Sequence, residues 1–322
     1  MAVYTEVSDV ALAAFLETYD LGGVRALKGI AEGVENSNFL LHTEKGYFIL
    51  TLYEKRVEAD SLPFFLALMD HLAERGLSCP RPVRARSGSA LGRLSGRPAA
   101  IVTFLDGVCR NRPDVGDCER IGEALARLHQ AAADFKGSRA NALSLSAWPQ
   151  LFAPLRFCAD DVESGLTAAI AAELAFLKTR WPRDLPRGII HADLFPDNVL
   201  FLGDEVSGLI DFYFACTDDL AYDLAICLNA WCFEPDGAFS IAKAAALFEG
   251  YQRVRRLTPA EAAAIPVLAR GAALRFALTR LIDWLNVPAG ALVSPKDPLE
   301  YIGKLRFHQR IGEAEQLGLN PK

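Results

Sequence analysis

The sequence predicts an α+β chain of two lobes: a small β-rich N-terminal lobe over 1–105 and a larger, mainly helical C-terminal lobe over 106–322. Three observations carry this. Short runs of β-branched and aromatic residues, separated by Gly-bearing turns, cluster ahead of Leu105. Long stretches at helical spacing follow from Asp117 onward. The helical half is interrupted by two short apolar runs, Gly188-Ile189-Ile190 and Val199-Leu200-Phe201, which flank a string of polar residues.

The elements follow in order. Val10 to Tyr19 reads as a short amphipathic helix stopped by Gly22-Gly23. Leu27 to Ile30 leads into a polar loop, and Phe39 to Thr43 and Tyr47 to Tyr53 read as strands joined by the Glu44-Lys45-Gly46 turn. A helix is expected near Asp60 to Arg75, broken by Gly76 and Cys79-Pro80-Arg81-Pro82. Arg97 to Leu105 is an apolar strand. Helices are then expected over Cys118 to Ala133, Leu166 to Trp181, Ala221 to Trp231, Ile241 to Gln252 and Pro259 to Trp284. The Pro- and Gly-bearing stretch Val287 to Pro298 reads as a surface connection.

The chemistry sits between the two interrupting strands. His191 to Phe201 reads His-Ala-Asp-Leu-Phe-Pro-Asp-Asn-Val-Leu-Phe, and Leu209-Ile210-Asp211-Phe212 follows. This is H-x-D-x-x-x-x-N, then an apolar strand, then an Asp at a strand's end, the apparatus that phosphoryl transfer needs. A loop between strands turns several polar side chains toward one cleft. Asp193 would orient a substrate hydroxyl and take its proton. Asn198 and Asp211 are hard oxygen donors suited to Mg²⁺. His191, grouped with the catalytic residues, is expected to brace the loop. With a β-lobe in front and a helical lobe behind, this is the bilobal protein-kinase-like fold.

Composition narrows the class. The net charge is −6 and there is no basic stripe or tail, which argues against nucleic-acid binding. No apolar run reaches membrane-spanning length without a charge, and the N-terminus lacks a basic signal region. The 7 cysteines are scattered, with no C-x-x-C pair, so a reduced, cytoplasmic protein is expected. There is no P-loop and no G-x-G-x-x-G.

The nucleotide is expected between the lobes. Gly33, Asn36, Ser37 and Asn38, in the loop before the second strand, would cover the phosphates. Phe104, Leu105 and Asp106, followed by Gly107, form the connection whose backbone would meet the adenine edge.

These residues resemble the aminoglycoside phosphotransferase and choline kinase-like superfamily, in which Tyr222-Asp223-Leu224-Ala225 matches the Asp-Leu-Ala that follows the catalytic loop. Within it the closer resemblance is to the homoserine kinases of this fold. It rests on Gly33 to Asn38, Ile49 to Glu54, Ala192 to Asn198, Asp211 to Phe214, Asn229 to Cys232, Leu274 to Phe276 and Lys296 to Tyr301. The resemblance implies ATP with Mg²⁺ as the phosphoryl donor and L-homoserine as the acceptor, a step toward threonine. Oligomeric state is not legible. A kinase for another small alcohol (an aminoglycoside, choline or a thiosugar) and a non-catalytic nucleotide-binding homologue are the alternatives.

An amino-acid acceptor needs partners for its ammonium and carboxylate. Asp223 would meet the ammonium or, alternatively, brace the catalytic loop. Arg275 or Arg280 would clamp the carboxylate or, alternatively, pair with Asp283 or another carboxylate. One departure stands out. Such kinases carry a basic residue on the third strand, paired with a helix Glu. Here Thr51 and Phe65 fall at those positions, leaving Lys55 or Arg56 as nearby cations.

Overall fold

The computed structural model describes residues 5–30, 36–54, 59–286 and 295–320. Helix α1 (Asp9–Leu16) opens the chain, its first turn capped by the Ser8 side chain, which accepts from the Ala11 N–H. The N-terminal sheet contains β1 (Val24–Gly29), β2 (Ser37–Thr43), β3 (Gly46–Leu52), β4 (Gly92–Leu94) and β5 (Arg97–Thr103). It is antiparallel throughout, in the order β1-β2-β3-β5-β4. Helix α2 (Leu62–Glu74) lies between β3 and β4 in sequence.

Strand alternation decides what each face does. Phe39, Leu41, Leu50, Leu52 and Ile101 are buried against Leu12, Phe15 and Leu16 of α1. Their neighbours therefore face the other way, where Asn38 lies opposite Thr51, Leu40 opposite Ile49, and His42 opposite Tyr47. Tyr53, Ala100 and Val102 share that second face and join the core of the helical lobe.

That lobe contains α3 (Val115–Ala131), α4 (Trp148–Leu155), α5 (Leu166–Arg180), α6 (Leu220–Trp231), α7 (Ile241–Val254), α8 (Pro259–Leu285) and α9 (Pro298–His308). It also carries two hairpin-sized sheets: β6 (Arg187–Ile190) pairs with β9 (Cys216–Asp219), and β7 (Val199–Leu202) pairs with β8 (Glu205–Leu209). The strands on either side of the catalytic loop thus do not pair with each other; each has its own partner. Helix α8 is long and apolar enough to span a bilayer, but 72% of its most apolar window is buried inside the protein, which makes it the core helix.

Three expectations shift. Helix α3 starts earlier than its apolar pattern because Asp114 and Asp117 form a reciprocal capping box. Helix α4 was not anticipated, being only 8 residues long and carrying Pro154 inside. Helix α9 starts at Pro298, read from sequence as part of a connection. Asp297 caps it and Pro298 occupies the first turn, where a missing N–H costs nothing.

Helices α3 and α7 touch backbone to backbone. A Cβ on Gly122 would lie 2.0 Å from the Leu247 carbonyl oxygen, and one on Gly250 1.9 Å from that of Glu119. Gly250→Ala is therefore expected to destabilise the protein by about 1–3 kcal/mol, overpacking outweighing the gain in helix propensity. Gly303→Ala on α9, where a Cβ meets nothing, should instead stabilise by about 0.5–1 kcal/mol. Urea unfolding of both variants checks the pair of signs.

Candidate active site

The lobes meet through the segment after β5. Val108 exchanges two backbone hydrogen bonds with Phe201 of β7, each 2.9 Å. The Ser207 hydroxyl donates to the Asp106 carbonyl at 2.6 Å. Gly107 sits at φ 147°, and a Cβ there would come within 2.4 Å of Ser207 Oγ and 2.9 Å of Leu200 Cβ. Only glycine lets this segment lie so close to the β7–β8 hairpin. Phe104, Leu105 and Asp106 therefore line the seam between the lobes, with Phe104 39% exposed.

In the catalytic loop, the backbone is held from below by α6. The buried Asp223 carboxylate accepts the His191 N–H on Oδ2 (2.7 Å) and the Ala192 N–H on Oδ1 (2.8 Å). Oδ2 also faces His129 Nε2 at 3.1 Å. His129 Nδ1 in turn meets the Tyr251 hydroxyl at 2.9 Å. Burial pushes the Asp223 carboxyl up, but the hydrogen bond and charge of His129 and the bonds from the His191 segment outweigh it and hold the group below the ordinary carboxylate range. From above, Arg275 of α8 donates through Nη1 to the Ala192 carbonyl.

Ala192 needs both clamps. It sits at φ 64°, left-handed backbone that an alanine rarely adopts, and Asp211 sits at φ 62°. Such conformations persist where the surroundings over-determine them. His191 adds a third brace. Its Nδ1 accepts the Asp193 N–H at 3.3 Å, which leaves Nε2 to donate to the Ile210 carbonyl at 3.0 Å. Burial lowers its pKa, which suits a neutral ring with one donor and one acceptor. His191 thus ties the loop to the strand end that carries Asp211.

Asp193 is half-buried. Asn198 Nδ2 donates to its carbonyl at 2.8 Å and faces its Oδ2 at 3.3 Å. The Asn198 backbone carbonyl accepts the Ile210 N–H at 3.0 Å, which ties it to the strand end that carries Asp211. An amide oxygen and a carboxylate are the hard donors that Mg²⁺ prefers, so these residues fit the metal. Burial raises the Asp193 pKa; Arg275 and His191 oppose the shift, Asp197 adds to it, and Lys296 opposes it.

For Asp223 and Arg280 the structure favours the second of the two roles and corrects the first, substrate contact. Asp223 is 0% exposed with both oxygens engaged by the loop and His129, so it braces the loop and does not meet a substrate ammonium. Arg280 is committed to α9: Nη1 bonds Glu300 Oε2 at 2.6 Å and the Asp297 carbonyl at 3.1 Å. Its partner is Glu300, not Asp283. Arg275 commits Nη1 to Ala192, and its Nε has no partner among the described residues.

The sequence did not single out α9 as part of the site. Lys296 Nζ pairs with Asp197 at 3.1 Å and lies 5.5 Å from the centre of the Phe195 ring. Tyr301 is fully buried, with Arg280 at 4.3 Å and Lys304 at 4.4 Å from its ring centre. The signal was Asp297-Pro298, an N-cap followed by a first-turn proline.

On the phosphate side, Gly33 lies outside the described residues, as do Lys55 and Arg56. The next three residues are fastened to β3 and the chain just after it. Asn36 Oδ1 accepts the Glu54 N–H at 3.3 Å, and Ser37 Oγ donates to Glu54 Oε1 at 2.8 Å. Asn38 Oδ1 accepts from Thr51 Oγ1 at 2.8 Å, and its amide nitrogen has no partner among the described residues.

A β-lobe, a helical lobe and a clamped loop that presents Asp193 and Asn198, tied to the strand end that carries Asp211, define a phosphotransferase of the protein-kinase-like fold. The chain belongs to the phosphotransferase enzyme family, whose model matches residues 26–257, and within it to the homoserine kinase family. It is 75% identical over 319 residues to the homoserine kinase of Methylocella silvestris, covering 99% of each chain. It is 67% identical to that of Beijerinckia indica subsp. indica, again covering 99% of both. Among solved structures, amicoumacin kinase hAmiN superposes with a TM-score of 0.70 at 15% identity, over 96% of this chain and 97% of that one. A microcompartment-associated aminopropanol kinase gives 0.67 at 18% identity, over 97% and 99%. At these identities the superpositions speak for the fold.

Proposed function

We propose that the chain transfers the γ-phosphoryl group of ATP to the side-chain hydroxyl of L-homoserine, giving O-phospho-L-homoserine and ADP. The observation that carries this is 75% identity, over essentially the whole length, to a protein named homoserine kinase. Asp193, Asn198 and Asp211, in the arrangement phosphoryl transfer requires, support it.

In this reading the segment up to Leu105 binds the nucleotide, and the remainder carries the catalytic loop and the acceptor. Asp193 accepts a hydrogen bond from the homoserine hydroxyl, aligns its oxygen on the γ-phosphorus and takes the proton as the new O–P bond forms. The bond from that phosphorus to the β,γ-bridging oxygen breaks, and ADP leaves with the electron pair. Asn198 fixes the Asp193 carboxylate through Nδ2 and, with Asp211, would hold Mg²⁺. A Mg²⁺ held there would supply charge neutralisation on the phosphates. Of the two arginines, Arg275 is the better placed for the substrate carboxylate, since Arg280 is already paired with Glu300.

The test is a coupled ADP-release assay with Mg·ATP over L-homoserine, choline, a thiosugar and an aminoglycoside. Turnover confined to L-homoserine is the expected result. Turnover on another alcohol would keep the mechanism and replace the acceptor. Nucleotide binding without turnover on any of them would contradict the enzymatic reading.

A further inference from the structure

Homoserine differs from a plain alcohol by its charged head, an ammonium and a carboxylate on one carbon, and its ammonium still lacks a partner. Asp223 is committed to the catalytic loop. Glu300 has both oxygens taken, Oε2 by Arg280 and Oε1 by Lys304. Asp297 caps α9. Asp197, in the catalytic loop beyond Asp193, is different. Its side chain is 62% exposed, Lys296 Nζ bonds its Oδ2 at 3.1 Å, and its Oδ1 makes no hydrogen bond among the described residues.

Stability does not explain Lys296. It precedes the Asp297 cap of α9, at the positive end of that helix's dipole, where an acidic side chain would be favoured. An ion pair this exposed adds little to the fold. What distinguishes the pair is its position. Lys296 Nζ lies 5.5 Å from the centre of the Phe195 ring, Phe195 packs edge-on against Phe276 at 4.9 Å, and the Arg275 guanidinium lies 4.1 Å from the centre of Phe276. Two touching rings thus carry a cation each, beside the loop that presents Asp193. That loop closes on itself: the Asn198 N–H donates to the Phe195 carbonyl at 2.9 Å and the Asn198 side chain to the Asp193 carbonyl at 2.8 Å. Asp193 and Asp197 therefore stand on one turn of chain, as a hydroxyl and an ammonium separated by a short carbon chain require.

We propose that the Lys296–Asp197 ion pair recognises the zwitterionic head of an α-amino-acid alcohol, the substrate ammonium binding Asp197 Oδ1 and the substrate carboxylate binding Lys296 Nζ. With the hydroxyl on Asp193, the head lies antiparallel over the pair, each charge against its opposite. Arg275 reaches the same carboxylate from the buried side. The arrangement selects against choline, which has neither an N–H to donate nor a carboxylate. This deepens the homoserine reading of the site and rests on it.

The test crosses charge on the protein with charge on the substrate. Asp197→Asn and Lys296→Met are assayed with L-homoserine, with 4-hydroxybutanoate, which lacks the ammonium, and with 3-aminopropan-1-ol, which lacks the carboxylate. Each analogue is read as a substrate or, where turnover is too slow, as a competitive inhibitor. Asp197→Asn is expected to raise the KM for L-homoserine by about 10- to 100-fold, the scale of a hydrogen bond to a charged group, and to bind 4-hydroxybutanoate no more weakly. Lys296→Met should raise the KM for L-homoserine by about 5- to 50-fold and bind 3-aminopropan-1-ol no more weakly. The KM for ATP should not move in either variant. Asp197 also acts on the Asp193 carboxyl through space, but that effect is common to all three compounds and cancels in the comparison. A mere surface ion pair would leave the KM for L-homoserine unmoved in both variants, and that result overturns the proposal. So does a loss of equal size for all three compounds, or a Lys296→Met loss that falls on ATP. A wild-type protein that phosphorylates another alcohol and ignores L-homoserine would fail the assigned reaction, and this inference with it, before any variant is made. A wild type active on L-homoserine with a flat comparison would fail this inference alone.

Discussion

Asp193→Asn is expected to lower kcat by about 10²- to 10⁴-fold, the range a positioned general base contributes, with ATP affinity unchanged. The amide keeps an oxygen for Asn198 Nδ2, so the loop geometry survives while the proton acceptor is lost. The pH dependence follows from the environment. Burial raises the Asp193 pKa above the ordinary carboxylate range. The acid limb of kcat should therefore lie above the usual position for an aspartate, with activity lost as pH falls through the raised value. For stability the sign reverses. A carboxyl with a raised folded pKa favours the folded state only when protonated, and that contribution disappears as pH rises from the unfolded to the folded value. At neutral pH the ionised Asp193 is a net burden on the fold, and Asp193→Asn should raise the Tm slightly while it lowers turnover. A pH–rate profile and a thermal melt of the same variant check both signs.

Asp223→Ala is expected to be the most destabilising single change near the site, costing about 3–5 kcal/mol, as for removing one partner of a buried charged network. Its carboxylate satisfies the His191 and Ala192 N–H groups and the His129 ring, and all three would be left in a dry interior. Ala192 would also lose one of the two clamps on its left-handed backbone. kcat and stability should fall together here, in contrast to Asp193→Asn. The wild-type pH behaviour separates the two groups as well. Because the folded pKa of Asp223 is depressed, its stabilisation is present above the unfolded value and lost only as pH falls through the lower, folded one. On acidification, activity should disappear while the near-UV circular dichroism of the fold persists. Urea titration of Asp223→Ala and an acid titration followed by both signals measure this.

The two lobes and the catalytic loop were legible because their signals are local. His191, Asp193 and Asn198 lie in one short run, and strand alternation in β2 and β3 is visible within each strand. What sequence could not give were partnerships closed over long separations. Asp223 was caught between two roles because its function depends on where α6 meets the loop. Arg280 stood between two readings, and its partner could not be named, because Glu300 lies on α9, a helix hidden by reading Pro298 as a connection. Thr51 and Phe65 were visible as missing charges, but Tyr213, whose ring packs against Phe65 at 5.7 Å, is brought there only by the docking of one lobe on the other. The Glu54 contacts that fasten Asn36 and Ser37 were also out of reach, because they are closed across the sheet.

The most direct test of the account is ³¹P NMR of the full chain incubated with Mg·ATP and L-homoserine. The account predicts stoichiometric ADP and a phosphomonoester on the homoserine side-chain oxygen, both formed about 10²- to 10⁴-fold more slowly with Asp193→Asn. ADP accompanied only by inorganic phosphate, or no ADP at all from a protein that binds ATP, would contradict it.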